Sequence, residues 1–483
     1  MRRVQAGNAD VLIVGGGITG AGAARDAAMR GLQTVLVEQN DFASGTSSRS
    51  SRLLHGGLRY LAQGDIGLVR EASVEKVRLS RLAPHLCDPL RFYFPVWQGD
   101  VWVKWKLSIG VRIYDLLCGG RNLGASKSYS RTQMLAEVAG LRESGLLGGV
   151  SYFDALTNDA RLVIDTLRSA ESAGARIYNY VRLVSAEPDG AAWNCVVSDT
   201  TTGEQVRIRA GAVVNATGAW AQGIRHSSVR LRLTKGVHLV IDRSRLPVSG
   251  AVVLSEGKRI LFVIPWGERV ILGTTDTDYD GDPAAVRTEP ADIAYILRVV
   301  NNGFPKAQIT SADVISTWAG VRPLIAPREV KAGSPSDTSR SHEIRMPEPG
   351  WIDVAGGKLT TYRLMAEQSV DRVCRHLGRR ADRSATASTS LTADAAYSGI
   401  LPPSVTAEVV QHCCRKEWAR HLDDVMLRRT SWHYYHHADA HVAETASNWM
   451  ASELGWSEQR RIEELEHYRT LTDSVRTIEV NPR

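Results

Sequence analysis

The sequence predicts an α/β fold: a doubly wound nucleotide-binding domain, an inserted mainly antiparallel β domain, and a small C-terminal helical domain. Three observations predict it. A strand–glycine turn–helix–strand unit opens the chain, residues 230–345 read as strands separated by turns, and beyond about residue 403 the composition turns helical and charged. At 483 residues the chain is too long for one ordinary core, so two or three domains are expected.

In the opening unit, Val11-Leu12-Ile13-Val14 is an unbroken apolar run suited to a buried parallel strand. Gly15-Gly16-Gly17-Ile18-Thr19-Gly20 follows and contains G-x-G-x-x-G. A small-residue helix from about Ile18 to Arg30 stops at Gly31, and Thr34-Val35-Leu36-Val37 makes the next strand. Gly15, Gly17 and Gly20 permit a tight turn, and a pyrophosphate settles on the positive helix N-terminus at Ile18 and Thr19. Glu38 closes the second strand, where a carboxylate accepts hydrogen bonds from ribose hydroxyls. This unit defines a dinucleotide site without separating FAD from NAD.

Later segments bear on that choice. Gly45-Thr46-Ser47-Ser48-Arg49-Ser50-Ser51 is a hydroxyl-rich loop suited to phosphate and ribitol oxygens through Thr46, Ser47, Ser48 and Ser51; its alternative is an ordinary solvated loop. Ala216-Thr217-Gly218 follows a strand, and Gly356-Gly357-Lys358 begins a helix. There the glycine pair lets backbone amides meet the N1/C2 edge of a flavin, which becomes anionic on reduction. The reading is a Rossmann-like FAD-binding domain assembled from residues 1–85, 151–229 and 346–383. Residues 86–150 and 230–345 form the substrate domain. Residues 384–403, rich in Ser, Thr and Ala, read as a flexible linker to the helical domain 404–483.

The chain resembles a known family at His55-Gly56-Gly57-Leu58-Arg59-Tyr60-Leu61, Phe262-Val263-Ile264-Pro265-Trp266, Gly273-Thr274-Thr275-Asp276, Gly320-Val321-Arg322-Pro323-Leu324 and Gly356-Gly357-Lys358-Leu359-Thr360-Thr361-Tyr362-Arg363. These motifs are similar to the FAD-dependent glycerol-3-phosphate dehydrogenases, flavoproteins of the glycine/D-amino-acid oxidase type. The resemblance runs over about residues 8–380 and resumes near Trp418–Arg429. It implies hydride transfer from C2 of glycerol 3-phosphate to flavin N5, giving dihydroxyacetone phosphate, with electrons passed to a quinone or to oxygen. It further implies non-covalent FAD, with Gln39, His55, Gly56, Gly57, Val181, Trp220, Leu359 and Thr360 beside it. The implied substrate pocket is Arg59, Tyr60, Lys235, His238, Thr275, Arg322, Arg340 and Lys358. Catalysis falls to His238, Arg322, Lys358 and Arg59. Physical chemistry supports part of this. A phosphate dianion wants convergent cations with bidentate geometry, which favours Arg322 and Arg340. The hydroxyl must lose a proton as hydride leaves, and histidine has the pKa for that task near neutrality. A related phosphorylated or carboxylated alcohol or amine is the competing substrate class. Against the family pattern, the C-terminal helical domain is shortened, the linker passing almost directly to Glu417-Trp418-Ala419-Arg420.

The net charge of +7 suits a phosphorylated substrate, an anionic membrane surface or nucleic acid, and no nucleic-acid-reading motif stands out. The six cysteines lack a C-x-x-C pair or a secreted disulfide spacing, which points to reduced thiols and a cytoplasmic protein. His433, His436, His437 and His441 have no cysteine or acidic partners in register, so no metal is expected. No uncharged stretch approaches the ~20 residues of a spanning helix. Residues 101–114 mix tryptophan, lysine and aliphatics as an interfacial helix does, which suggests peripheral contact with the inner face of the cytoplasmic membrane; core packing is the alternative. A homodimer is left open.

Overall fold

A computed structural model of the chain describes residues 3–61, 64–119, 122–257, 259–326, 341–379, 383–394, 396–436 and 439–476, without the side chains of 59, 439 and 473–476. The apolar run near the N-terminus becomes the strand Gly7–Val14, with Leu12 and Ile13 fully buried. It lies inside an eight-stranded sheet whose main path is His342–Glu348, Trp351–Gly356, Gln205–Asn215, Gly7–Val14, Thr34–Glu38 and Arg176–Asn179. Pairings from Trp351–Gly356 to Arg176–Asn179 are parallel, and the hairpin Val181–Asp189 with Ala192–Asp199 joins at Gln205–Asn215. The helix Ile18–Met29 packs against both Asp159–Ser172 and Tyr362–His376. Its buried Ala21, Ala23, Ala24, Ala27 and Ala28 allow that close fit. This is the Rossmann-like fold expected.

The second sheet has ten strands and is antiparallel except where Ala251–Glu256 meets Asp88–Trp97. Its longest pair, Leu231–Asp242 with Val314–Ile325, decides which side chains share a face. Successive side chains alternate, so Thr234, Gly236 and His238 face one side with their partners Arg322, Gly320 and Trp318, and Lys235 faces the other.

Two sequence-derived boundaries shift. Leu53–Leu54 and Leu146–Leu156 pair into the antiparallel sheet, and His342–Glu348 joins the nucleotide-binding sheet. Strands of both sheets read as similar apolar runs, so pattern alone cannot assign a strand to its sheet.

The segment read as a flexible linker is pinned instead. Ser384 donates to Asp26, Arg25 Nη2 donates to the carbonyls of Thr389 (2.6 Å) and Ser390 (3.2 Å), and Ser398 donates to Asp165 (2.6 Å). Its hydroxyls and carbonyls satisfy buried charged groups, a role composition does not distinguish from solvation.

Beyond it lie Ala407–Lys416, Trp432–Tyr435, Asp439–Leu454 and Glu458–Arg476, the helical lobe expected. Buried ion pairs tie the lobe to the nucleotide-binding domain: Arg429 to both oxygens of Asp41 (2.6 and 2.7 Å) and Arg161 to both oxygens of Glu417 (2.6 and 2.7 Å). Burial alone would raise the Asp41 carboxyl, but Arg429 and Arg428 outweigh it and hold it well below the usual range. Among the described residues, no helix is long and apolar enough to cross a membrane.

Candidate active site

The glycine turn and the segment 354–359 flank an elongated cleft of about 1480 Å³, counting its open mouth. Gly15, Gly17, Ile18 and Thr19 line it at the helix N-terminus, and Glu38, Gln39 and Val181 line it beside the second strand. Thr46, Ser47, Ala216, Thr217, Gly218 and Trp220 form further wall, with Gly357, Lys358 and Leu359 near the helix Tyr362–His376. The turn is built on close approach. Gly15 has φ +112°, and a Cβ on Gly20 would lie 1.9 Å from the Gly15 carbonyl oxygen. Ser47 Oγ accepts from Ile18 N (3.0 Å). Glu38 accepts from Gly16 N (2.7 Å) and Asn40 N (2.9 Å), which fixes its carboxylate at the cleft wall. An extended slot with a helix N-terminus, an oriented acid and a glycine–lysine segment fits FAD.

A second cavity of about 1010 Å³, its opening included, is walled by Ser51, His55, Gly57, Tyr60 and Arg322. Phe92, Phe94, Trp102, Tyr152 and Phe262 form its aromatic side, and Asp154, Asp276 and Arg259 add charge. The two cavities adjoin at Lys358, a wall of the first, whose Nζ lies 4.1 Å from the ring centre of Tyr60, a wall of the second. Arg322 rests over Gly236, where a Cβ would sit 2.3 Å from Nη2. Its guanidinium donates to Asp276 (3.2 Å), Thr274 Oγ1 (2.8 Å) and the Thr275 carbonyl (3.2 Å).

Supports stand behind the walls. Gly56 N donates to Tyr114 OH (2.7 Å), and Asp154 accepts from buried Lys76 (2.8 Å). Thr360 Oγ1 accepts from His55 N (3.0 Å) and donates to the His55 carbonyl (3.1 Å), joining two distant motifs. His238 is 1% exposed, with Nε2 2.8 Å from Ser51 Oγ and its ring stacked on Trp318 at 5.2 Å. Burial first, then the charges of Arg322 and Arg52, push its pKa well below the usual histidine value, so the ring is neutral at pH 7.

Some expected placements change. Lys235 points to the other face of its strand, with Nζ 2.7 Å from Glu289 and 2.8 Å from Asp292, so it is an ion-pair partner outside the cavity. Thr275 Oγ1 accepts from Val237 N (3.0 Å), and its neighbours Thr274 and Asp276 line the cavity. The residue alternation of an extended chain accounts for Lys235. Ser51, His55 and Gly57 face the second cavity rather than the cofactor cleft. Gly20, Ser48, Gly56 and Thr360 line neither; Gly20 packs beneath the turn, and Ser48 is buried. Arg340 and the side chain of Arg59 lie outside the described residues. His433 Nδ1 pairs with Tyr468 OH (2.8 Å). Sequence reasoning missed Asp154 and Trp318. A lone acid inside the apolar strand Leu146–Leu156 was the available signal for the first; nothing marked the second.

The nucleotide-binding sheet, the cleft and the adjoining cavity define an FAD-dependent oxidoreductase. The sequence matches the family described as FAD dependent oxidoreductase over residues 10–363 and the C-terminal domain of alpha-glycerophosphate oxidase over residues 354–461. It is 40% identical over 402 residues to glycerol-3-phosphate dehydrogenase 2 of Mycobacterium tuberculosis, covering 81% of this chain and 67% of that protein. It is 41% identical over 377 residues to the aerobic glycerol-3-phosphate dehydrogenase of Staphylococcus aureus, covering 76% of this chain and 67% of that one. The glycerol-3-phosphate dehydrogenase of Bacillus halodurans complexed with FAD superposes with a TM-score of 0.78 at 30% identity, over 99% of this chain and 97% of that one. The chain belongs to the FAD-dependent glycerol-3-phosphate dehydrogenase family, and its FAD is bound non-covalently.

Proposed function

We propose that the chain oxidises glycerol 3-phosphate to dihydroxyacetone phosphate. The observation that carries this reading is the guanidinium of Arg322 on the cavity wall. It shares a sheet face with His238 and opens into the same cavity as Tyr60, which Lys358 covers. FAD held by Gly15, Gly17, Glu38 and Gly357 would supply the acceptor for the hydride leaving C2. Arg322 takes the phosphate in bidentate fashion. Lys358, at the junction of cleft and cavity, brings positive charge to the end where oxygen loses its proton. His238, neutral at rest, is the proton acceptor, a weaker base than a free imidazole because burial and the charges of Arg322 and Arg52 oppose its protonation. The resemblance adds Arg59 and Arg340 as further cations.

Membrane contact belongs to the same proposal. On the helix Lys104–Leu117, Leu107, Val111 and Tyr114 face inward, while Trp105 (62% exposed), Ile109, Ile113 and Leu116 (73%) form an outward apolar stripe beside Lys104, Lys106 and Arg112. A stripe of this kind suits an anionic lipid surface, and from there a quinone as the electron acceptor, with oxygen as the alternative. The place of work is then the inner face of the cytoplasmic membrane.

The second reading is a different small phosphorylated or carboxylated alcohol or amine. The aromatic side of the cavity, formed by Phe92, Phe94, Trp102, Tyr152 and Phe262, favours it, since it offers apolar surface that glycerol 3-phosphate has little to cover with. Anaerobic titration of the holoenzyme distinguishes the two. Bleaching of the flavin by glycerol 3-phosphate, far ahead of glycerol, supports the first; bleaching only by another alcohol or amine selects the second.

A further inference from the structure

His238 has the chemistry of a base but not the position of one that meets substrate. It is almost wholly enclosed and forms no part of the cavity wall. Ser51 stands between: its residue lines the cavity, and its Oγ lies 2.8 Å from His238 Nε2. The sequence had placed Ser51 along the cofactor, yet it is absent from the walls of that cleft.

The segment carrying Ser51 is held on both sides. Ser50 donates from N (2.9 Å) and Oγ (2.7 Å) to Asp159, and its Oγ accepts from Arg52 N (3.0 Å). Trp318 Nε1 donates to the Ser50 carbonyl (3.0 Å), so the ring that stacks on His238 also fixes the serine loop. Arg52 turns the opposite way, at φ +55°, and buries its guanidinium among aromatic rings. It lies 4.4 Å from the ring centre of Trp266, 5.3 Å from that of Trp318 and 5.6 Å from that of Tyr434. Consecutive residues thus serve the imidazole, Ser51 against its Nε2 and Arg52 against the Trp318 ring that stacks on it. The charged groups around it are Arg322, paired with Asp276, and Arg52, whose Nε is 4.0 Å from Asp159. Burial and both cations favour the neutral ring, which leaves Nε2 without a proton at rest and makes it a weaker base than a free imidazole.

We propose that Ser51 is a catalytic residue: its hydroxyl touches the substrate hydroxyl and passes that proton to His238, which acts only through it. The inference rests on the proposed alcohol oxidation. As the C2–H bond breaks, its electron pair and hydrogen go to FAD as hydride. The substrate O–H proton moves to Ser51 Oγ, and the serine's own proton moves to His238 Nε2. The products are the ketone, two-electron-reduced cofactor and a protonated imidazole, which later releases its proton to solvent by the same path.

The test uses the holoenzymes Ser51→Ala, Ser51→Thr, His238→Gln and His55→Gln, with anaerobic stopped-flow flavin reduction by glycerol 3-phosphate. Ser51→Ala is expected to keep its full flavin content and its substrate affinity while reduction slows by roughly 10²–10⁴-fold. Ser51→Thr, which keeps a hydroxyl, restores most of the rate. The rate against deuterium fraction of the solvent bows in the wild type, where two protons move, and becomes linear in Ser51→Ala. A readout without turnover is histidine-selective NMR, in which the His238 resonance, assigned by its loss in His238→Gln, moves in Ser51→Ala before substrate is added. A Ser51→Ala reduction rate near wild type overturns the relay. So does a rate loss confined to His55→Gln, the imidazole on the cavity wall. If glycerol 3-phosphate leaves the wild-type flavin oxidised while another alcohol bleaches it, the substrate reading fails alone, and that alcohol reports on the relay through the same variants.

Discussion

Replacing Arg322 by alanine tests phosphate recognition most directly. The guanidinium lies 81% buried against Gly236, and the substitution leaves Thr274 and Asp276 facing the cavity without it. Removing one partner of a largely buried charge pair costs about 2–5 kcal/mol, much of it the penalty on the charge left behind. At 1.4 kcal/mol per tenfold, that is roughly a 30- to 4,000-fold rise in KM for glycerol 3-phosphate. Two features of the site set where the value falls. Asp276 already neutralises Arg322 in the free enzyme, which lowers the net worth of the phosphate contact. Once Arg322 is gone, the Asp276 carboxylate faces the phosphate directly, which raises the cost. The double variant Arg322→Ala/Asp276→Asn is therefore expected to recover part of the loss, a non-additivity that contact between the two residues requires. The assay is steady-state reduction of a dye acceptor with glycerol 3-phosphate and with unphosphorylated glycerol, at equal flavin content. Only the phosphorylated substrate should suffer. Equal weakening of both substrates would show that the phosphate is held elsewhere and would refute the assignment.

Four other outcomes follow from the same structure. Acid precipitation should release the yellow cofactor to the supernatant, and colour staying on the pellet would contradict non-covalent binding. Gly20→Ala should purify without flavin, because its Cβ would lie 1.9 Å from the Gly15 carbonyl oxygen, and replacing Gly17, which lines the cleft at the helix N-terminus, by a bulkier residue should block the pyrophosphate and also leave apoprotein; a full flavin band in either variant would refute the assignment of the turn. Co-sedimentation with anionic vesicles should weaken as salt rises and fall further in Trp105→Glu; binding indifferent to both would remove the membrane proposal. Burial would raise the Glu417 carboxyl, but Arg161 and hydrogen-bonded His412 reverse that and hold it well below the usual range. A depressed folded pKa gives stability that is complete above the unfolded value near ~4.3 and fades as pH falls toward the folded one. Glu417→Gln should thus cost about 3–5 kcal/mol at pH 7, and the gap between its unfolding curve and that of the wild type should narrow below about pH 4.

The nucleotide-binding end was legible because its signals are local. A β-α-β unit needs an apolar run, glycines where backbones touch, and an acid at the second strand end, and all of these lie within residues 11–38. The substrate cavity was only partly legible, since its walls come from segments hundreds of residues apart. Arg322 and Lys358 stood in recognisable motifs; Arg322 lines the second cavity and Lys358 the cleft. Lys235 lines neither, because a neighbour along an extended chain points to the opposite face. The strand register that puts Thr234 rather than Lys235 beside Arg322 is set by pairing with Val314–Ile325, far away in sequence.

The sequence by itself determined the fold class, the cofactor and the family, since each rests on residues close together or on motifs in a fixed order. Tertiary structure alone decided three things. It enclosed His238 behind Ser51, because the serine loop leading into Leu53–Leu54 meets the strand Leu231–Asp242 only once strands far apart in sequence have joined the ten-stranded sheet. It brought Tyr434 of the C-terminal lobe against Arg52, making that lobe part of the cage behind the imidazole. It also turned a hydroxyl-rich stretch into a strap pinned on Arg25, Asp26 and Asp165. In each case the deciding energy is the desolvation of a polar or charged group, which is set by the neighbours that exclude water, and those neighbours are remote in sequence.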